Sequence, residues 1–466
     1  MRADHDSHDQ SNLELAVPHQ LQEWWNEGGQ VLKRLQVKGF KSLVDVEARF
    51  SSLAVLFGLN AAGKSNILDA LRLVSNIGTC RTLKHAFAPP YRGKAIESFA
   101  LGNGGVKELI SRKRINLTIE ADLRLSDSTI ESVNREIRSV SYRRGEEVHA
   151  RQSAGPPQVQ ERDLRYRITV EMRPALGVLC ISDEYLAPLN STGSPTVKDE
   201  PFLQRRGDRL LLRLDGQDLP VEFDRYLDRS VISMRHHPPH CPHLVAARRE
   251  LESWQFFYFE PRERMRAAAQ IEEVRQIGLM GQDLAGYLRT LQALRPRQFW
   301  AVEKALHMMI PDIDGIEFEV NDFGEVEMSI REGGLSLSTR VLSEGTLRIL
   351  ALLAIGGLED EPALVGIEEP ENGIHPTRLG LIAELLQSGA GLGQTQYFVT
   401  THSPALVDML PMESLFAVRR SHRHTRIDPV SDWGPLAHSG GFTQSRRDQE
   451  TYLPVSKRIL RGDFSA

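Results

Sequence analysis

The sequence predicts an α/β fold built on a parallel sheet, and the order of its apolar runs carries that expectation. SLAVLF at residues 52–57 enters the glycine-rich GLNAAGKS at 58–65, and NILDALRLVSNI follows with apolar residues at helical spacing. Near the other end, ALVGI at 363–367 stops at an acidic pair, and QYFVTT at 396–401 stops at a histidine. Strands covered on both faces read as unbroken apolar runs, and strands that alternate with helices form parallel sheets.

The flanking elements follow. VLKRLQV and LVDVEARF, joined by the GFKS turn, alternate as half-exposed antiparallel strands do. The middle, from Ile115 to Pro311, mixes strand-like RYRITVEM, GVLCISDEYL and DRLLLRLDG with Pro/Gly loops and a helical stretch over 265–309. GIEFEV and EVEMSI then read as strands, LRILALLAIGGL and TRLGLIAELLQ as helices. Residues 1–28 read as a flexible tail in which Trp24 and Trp25 dock on the body or on a partner, and SAGPPQVQ at 153–160 as a flexible segment.

Composition bounds the partners. A length of 466 residues supports two lobes, and a net charge of −5 argues against a protein that coats nucleic acid over its whole surface. Cys80, Cys180 and Cys241 are scattered and odd in number, which fits a reducing, cytoplasmic setting. No apolar run approaches the roughly 20 residues of a membrane span, and the polar start is neither a signal peptide nor an anchor.

Four motifs carry chemistry. GLNAAGKS satisfies G-x-x-x-x-G-K-[ST]: its glycines allow a nest of backbone N–H groups around phosphate, Lys64 reaches the outer phosphates, and Ser65 can ligate Mg²⁺. Glu368 and Glu369, past ALVGI, place carboxylates at the sheet edge, one for the metal shell and one for the attacking water. LSEGT at 342–346 opens a helix with Ser343 as N-cap; an ordinary capped helix and a phosphate-facing terminus are both open on local grounds. His402, just past QYFVTT, is suited to hydrogen-bond the γ-phosphate and attacking water.

Together, GLNAAGKSN, LSEGT, EEPENGIHP and TTHSP, with LQVKGFKS ahead of the first, resemble the ABC-ATPase heads of the RecF, SMC and OLD group, nearest to the bacterial AAA_21 type. The resemblance implies a P-loop NTPase with an ABC-ATPase-like two-lobed head and a mixed α+β insertion between the Walker A and signature motifs. It divides the chain into the tail, 29–115 with Walker A, the insertion or lid at 116–311, and 312–466 with signature, Walker B and switch histidine. It implies ATP and Mg²⁺ as cofactors, held by Gly58, Asn60, Ala61, Ala62, Gly63, Lys64, Ser65 and Asn66 of one chain and by Ser343 and Gly345 of a second. Ser65 and Glu368 would hold the metal, with Lys64, Glu369 and His402 catalytic. No Q-loop glutamine is placed, and Glu368 stands where many such heads have Asp. The implied function is a homodimeric ATPase switch in DNA repair or antiviral (anti-phage) defense, with a separately encoded nuclease or toxin and double-stranded DNA as partners. A scaffold or sensor that holds an effector without touching DNA is the alternative.

Two groups of features have bland readings beside functional ones. HHPPHCPH at 236–243 has histidines and Cys241 but no standard zinc spacing, so a loop is expected. Basic clusters at 111–114, 142–144, 204–209 and 261–266 read as solvated faces, or as a duplex-binding surface if they converge.

Overall fold

In the computed structural model the described residues are 29–143, 158–196, 200–215, 217, 219–224, 226–356, 362–421, 424–433 and 454–461. The expectations for residues 1–28, for most of 153–160 and for Arg144 lie outside them.

Two sheets form the body. The first begins with β1 (Leu32–Phe40) and β2 (Leu43–Arg49), paired antiparallel as their alternation predicts. β3 (Leu53–Phe57) belongs to the second sheet and leads through the glycine loop into α1 (Lys64–Thr79). β4 (Ile115–Arg124), α2 (Asp127–Arg143), β5 (Asp163–Arg173), β6 (Val178–Pro188), β7 (Leu203–Arg206), β8 (Arg209–Leu212) and β9 (Val221–Asp224) follow. The six strands extend the first sheet to the order β2-β1-β4-β5-β6-β7-β8-β9. The boundary expected at residues 115–116 therefore falls at the start of β4, inside that sheet.

After α3 (Pro242–Glu252), the three-residue β10 (Gln255–Phe257) pairs parallel to β15 (Leu364–Glu368), so the insertion reaches into the second sheet as well. The helical stretch expected over 265–309 is helical only from Leu284 onward. Its first part holds only a short 3₁₀ turn, a loop and β11 (Ala269–Gln270), and two helices follow, α4 (Leu284–Leu294) and α5 (Pro296–Met309). Proline cannot continue a helix but suits its first turn, and Pro296 begins the second of the two. β12 (Ile313–Val320), β13 (Glu325–Glu332) and β14 (Leu335–Ser338) complete a small antiparallel sheet with β11.

α6 (Glu344–Ile355), β15, α7 (Leu379–Gly391), β16 (Gln396–Thr401), β17 (Leu415–Ser421) and β18 (His424–Pro429) close the second sheet, ordered β10-β15-β16-β3-β17-β18 and parallel except for the last pair. Side chains on a strand alternate between faces, and here the alternation separates two cores. Ala54, Leu56, Leu364, Phe398 and Phe416 join the core shared with α1 and the first sheet. Leu53, Val55, Phe57, Ile367, Val399 and Leu415 join a second core with α4–α7. The buried amide of Gln396 ties the layers: it accepts from the N–H groups of Val31 and Leu32 at 3.2 and 2.7 Å and donates to the carbonyls of Leu32 and Ser51. The central sheet thus presents the carboxyl ends of β3, β15 and β16 side by side, where open α/β sheets bind ligands.

Candidate functional site

The glycine loop is wedged between β3 and the β17–β18 hairpin. Gly58 and Gly63 have φ of 150° and 110°, and a Cβ there would lie 2.1 Å from the Val418 carbonyl oxygen and 2.2 Å from Thr425 Oγ1. Only glycine fits both the dihedral and the approach. Asn66 donates to Ser42 Oγ at 2.8 Å, Ser42 and Thr425 share a hydrogen bond of 2.7 Å, and Thr425 donates to the Ala62 carbonyl at 2.8 Å. Thr425 has one proton, so the chain runs from Asn66 through Ser42 to Thr425 and the loop.

Lys64 points back into its own loop, donating to the carbonyls of Gly58 and Leu59 at 2.9 and 3.1 Å. Burial lowers its pKa to about 8, opposed by the nearby carboxylates of Glu369, Glu371 and Glu368. Its ammonium lies 3.3 Å from His402 Nδ1, and His402 Nε2 lies 3.0 Å from Glu369 Oε1. These partners assign the neutral tautomer, with Nε2–H donating to Glu369 and Nδ1 accepting from Lys64. Lys64 therefore meets His402 and Glu369, more than 300 residues further along the chain, in one hydrogen-bonded row.

Each member is held from behind. Glu369 adopts φ of 47°, left-handed for a non-glycine residue, while its N–H donates to Thr400 O at 2.9 Å and Asn372 donates to its second oxygen at 2.7 Å. Strain of this kind persists where the surroundings over-determine it and clusters at functional sites. Glu371 accepts from Thr401 Oγ1 at 2.6 Å and from the His402 N–H at 3.1 Å, which fixes the strand end that carries the imidazole.

Glu368 has a partner that sequence reasoning missed. Arg92, in the loop after α1, bonds both its oxygens at 2.9 and 3.4 Å, and also reaches Asp69 and the Ser65 carbonyl at 3.2 Å. A lone arginine in a Pro/Gly loop has no periodicity or spacing to mark it. The Ser65 hydroxyl and Glu368 carboxylate are hard oxygen donors of the kind magnesium takes. Among the described residues no group of three or more His, Cys, Asp or Glu could hold a metal unaided. A metal here would be completed by phosphate oxygens and water.

The signature stands elsewhere in the chain. Ser343 caps α6 by accepting from the Thr346 N–H at 3.0 Å. A Cβ on Gly345 would lie 2.5 Å from the Gly373 carbonyl, so α6 packs against the loop that follows Glu369. Arg266 holds the Leu342 carbonyl at 2.7 Å and Arg262 holds Glu344 at 2.9 Å. Among the described residues, no hydrogen bond joins Ser343 or Gly345 to the Lys64 loop.

The His-rich segment runs into α3, whose first turn carries His243. His243 stacks on Phe202 with ring centroids 4.2 Å apart and accepts from the N–H groups of Gln160 and Glu161; burial lowers its pKa to about 4. Burial pushes the Cys241 thiol up to about 12.

Residues 234–408 match the family described as "AAA domain, putative AbiEii toxin, Type IV TA system", a segment that includes Ser343, Glu368, Glu369 and His402 but not the glycine loop. The "DNA replication and repair protein RecF" of Synechocystis sp. is 32% identical over 96 residues, 20% of this chain and 23% of that protein's length. The chain therefore spans about a quarter of that curated relative. Among solved structures, an SmcHead bound to the C-winged helix domain of ScpA is similar at 12% identity and a TM-score of 0.48, over 86% of this chain and 98% of that one. The SMC head domain from Thermotoga maritima is similar at 15% identity and a TM-score of 0.39, over 86% and 99%. The glycine loop, the acidic strand end and the histidine thus gather at one edge of a parallel sheet, and the segment that carries the last two is similar to that AAA-domain family.

Proposed function

We propose that the chain binds ATP with Mg²⁺ and hydrolyses it between two copies of itself, so that the nucleotide state opens and closes a homodimer. The observation that carries this reading is the row Lys64–His402–Glu369 at the sheet edge, with no hydrogen bond among the described residues from Ser343 or Gly345 to the Lys64 loop. Lys64 exchanges the carbonyls of its own loop for phosphate oxygens, and the backbone N–H groups from Asn60 to Asn66 cradle the rest. Ser65 and Glu368 would hold the metal, which would supply positive charge beside the phosphates. Glu369 takes the proton of the attacking water, and His402, donating from Nε2, orients it. The exposed N-terminus of α6 is free to meet the γ-phosphate of the second copy, where its first N–H groups and Ser343 favour negative charge.

Replacing Glu369 with Gln tests this reading. The variant keeps the shape of the site but removes the base, so it should retain ATP and sediment as a dimer with turnover lost. Native turnover and a monomer in the presence of ATP would overturn the assignment.

We place the switch in the cytoplasm, in keeping with three cysteines, Cys80, Cys180 and Cys241, that are scattered along the chain and odd in number. Its use is DNA repair or phage defence beside a separately encoded effector. The alternative, a scaffold that never touches DNA, draws support from the basic clusters. Arg112 pairs with Glu108, Arg114 with Glu171, Arg209 with Glu222 and Arg262 with Glu344. Guanidiniums so engaged offer less to phosphate. Salt-sensitive stimulation of turnover by duplex DNA would favour repair or defence; indifference to DNA would favour the scaffold.

A further inference from the structure

Arg92 joins the two residues assigned above to the metal, yet it carries a positive charge itself. Its guanidinium bonds both Glu368 oxygens at 2.9 and 3.4 Å, Asp69 at 3.0 Å and the Ser65 carbonyl at 3.2 Å. A dication shared by Ser65 and Glu368 would compete for those carboxylate oxygens and stand within repulsive reach of the guanidinium. Both cannot hold Glu368 as Arg92 now holds it.

The surroundings allow Arg92 to leave without orphaning a charge. Asp69 is buried, but Lys41 also pairs with it at 2.7 Å, so the aspartate stays neutralised after Arg92 departs. The Arg92 side chain is 47% exposed, so its charge moves into water at little cost. Beside the pair lies a cavity of about 100 Å³ lined by Asp69, Glu368, Phe256 and Tyr258, which leaves room for the guanidinium to turn. The base of the arm is fixed. Tyr91 is buried, hydrogen-bonded to Ser98 at 3.1 Å and packed edge-on against Phe87. A pinned base and a half-exposed tip make a side-chain swing sufficient.

We propose that Arg92 is a resident counter-cation that holds Glu368 in the nucleotide-free head and is displaced when magnesium enters with the nucleotide. Arg92 thereby sets the magnesium concentration at which the site loads and acts as a positioning residue for Glu368. The proposal rests on the metal reading given under the proposed function.

The test is magnesium-dependent binding of an N-methylanthraniloyl ATP analogue, followed by fluorescence, with no turnover required. Arg92→Met should reach half-saturation at about tenfold lower magnesium than native, the scale of losing one charge-assisted contact to the carboxylate. Arg92→Lys, which keeps the charge but not the fork, should fall between the two. Thermal melting checks that both variants fold. An unchanged magnesium requirement in Arg92→Met would overturn the proposal. So would a raised one with weaker metal-free binding, which would make Arg92 a phosphate ligand. Lys64→Ala separates the underlying reading: analogue binding that survives in that variant removes the site assignment itself, whatever Arg92 does.

Discussion

The lowered pKa of Lys64 gives nucleotide binding a calculable pH dependence. In the nucleotide-free head Lys64 loses its proton near pH 8, because burial outweighs the attraction of Glu369, Glu371 and Glu368. A triphosphate needs the charged form and stabilises it, so binding above that pH takes up a proton. Affinity should be constant below about pH 7.5 and then fall tenfold per pH unit, a loss of about 30-fold between pH 7 and 9.5. The sign for folding is opposite. A lysine depressed from 10.5 to about 8 in the fold destabilises it fully below 8, and that penalty is relieved as pH rises between 8 and 10.5. Lys33, also lowered to about 8 by burial, shares the stability window but lies against Asp163, away from the loop. Affinity therefore reports Lys64 where stability does not. The assay is titration of the fluorescent ATP analogue from pH 7 to 9.5 at saturating magnesium, beside Lys64→Arg, whose guanidinium keeps its proton throughout. A flat native profile would refute the reasoning, as would an equal fall in Lys64→Arg.

Two substitutions probe the packing behind the site. Gly345→Ala puts a Cβ 2.5 Å from the Gly373 carbonyl, where backbone must shift; thermal melting should show a loss of about 1–3 kcal/mol, and unchanged stability would contradict the close approach. Thr425→Val keeps the shape but removes the bonds to Ala62 and Ser42. Denaturation should show a loss of about 1–2 kcal/mol with weakened analogue binding; native behaviour on both counts would show that the hairpin does not brace the loop.

The sequence announced the central site through residues with few alternatives. Glycines at 58 and 63 are required by positive φ and by contacts that leave no space for a Cβ, so their spacing is legible. Continuous apolar runs marked β3, β15 and β16 as doubly covered, and Glu369 and His402 could be set at their ends. What stayed hidden depends on tertiary placement. β10 is three residues long and its place in the sheet is decided by pairing with β15, not by any local pattern. Thr425 acts on the glycine loop from 363 residues away. The 265–283 stretch misled because apolar residues such as Met265 and Ile277 fill the core from a loop. The first sheet grew past the fragments that could be read, since β7 and β9, on either side of the strand read in DRLLLRLDG, are four-residue strands whose place comes from hairpin contacts.

The claim on which the proposed function depends is that Lys64 and Ser343 serve one triphosphate from different chains. Mixing Lys64→Ala protein with Ser343→Arg protein tests it most directly. Each alone should be inactive, and an equal mixture should recover about a quarter of native turnover, because half the dimers are mixed and each carries one complete site. A mixture as silent as its parts, or full turnover by Ser343→Arg alone, would contradict the shared site.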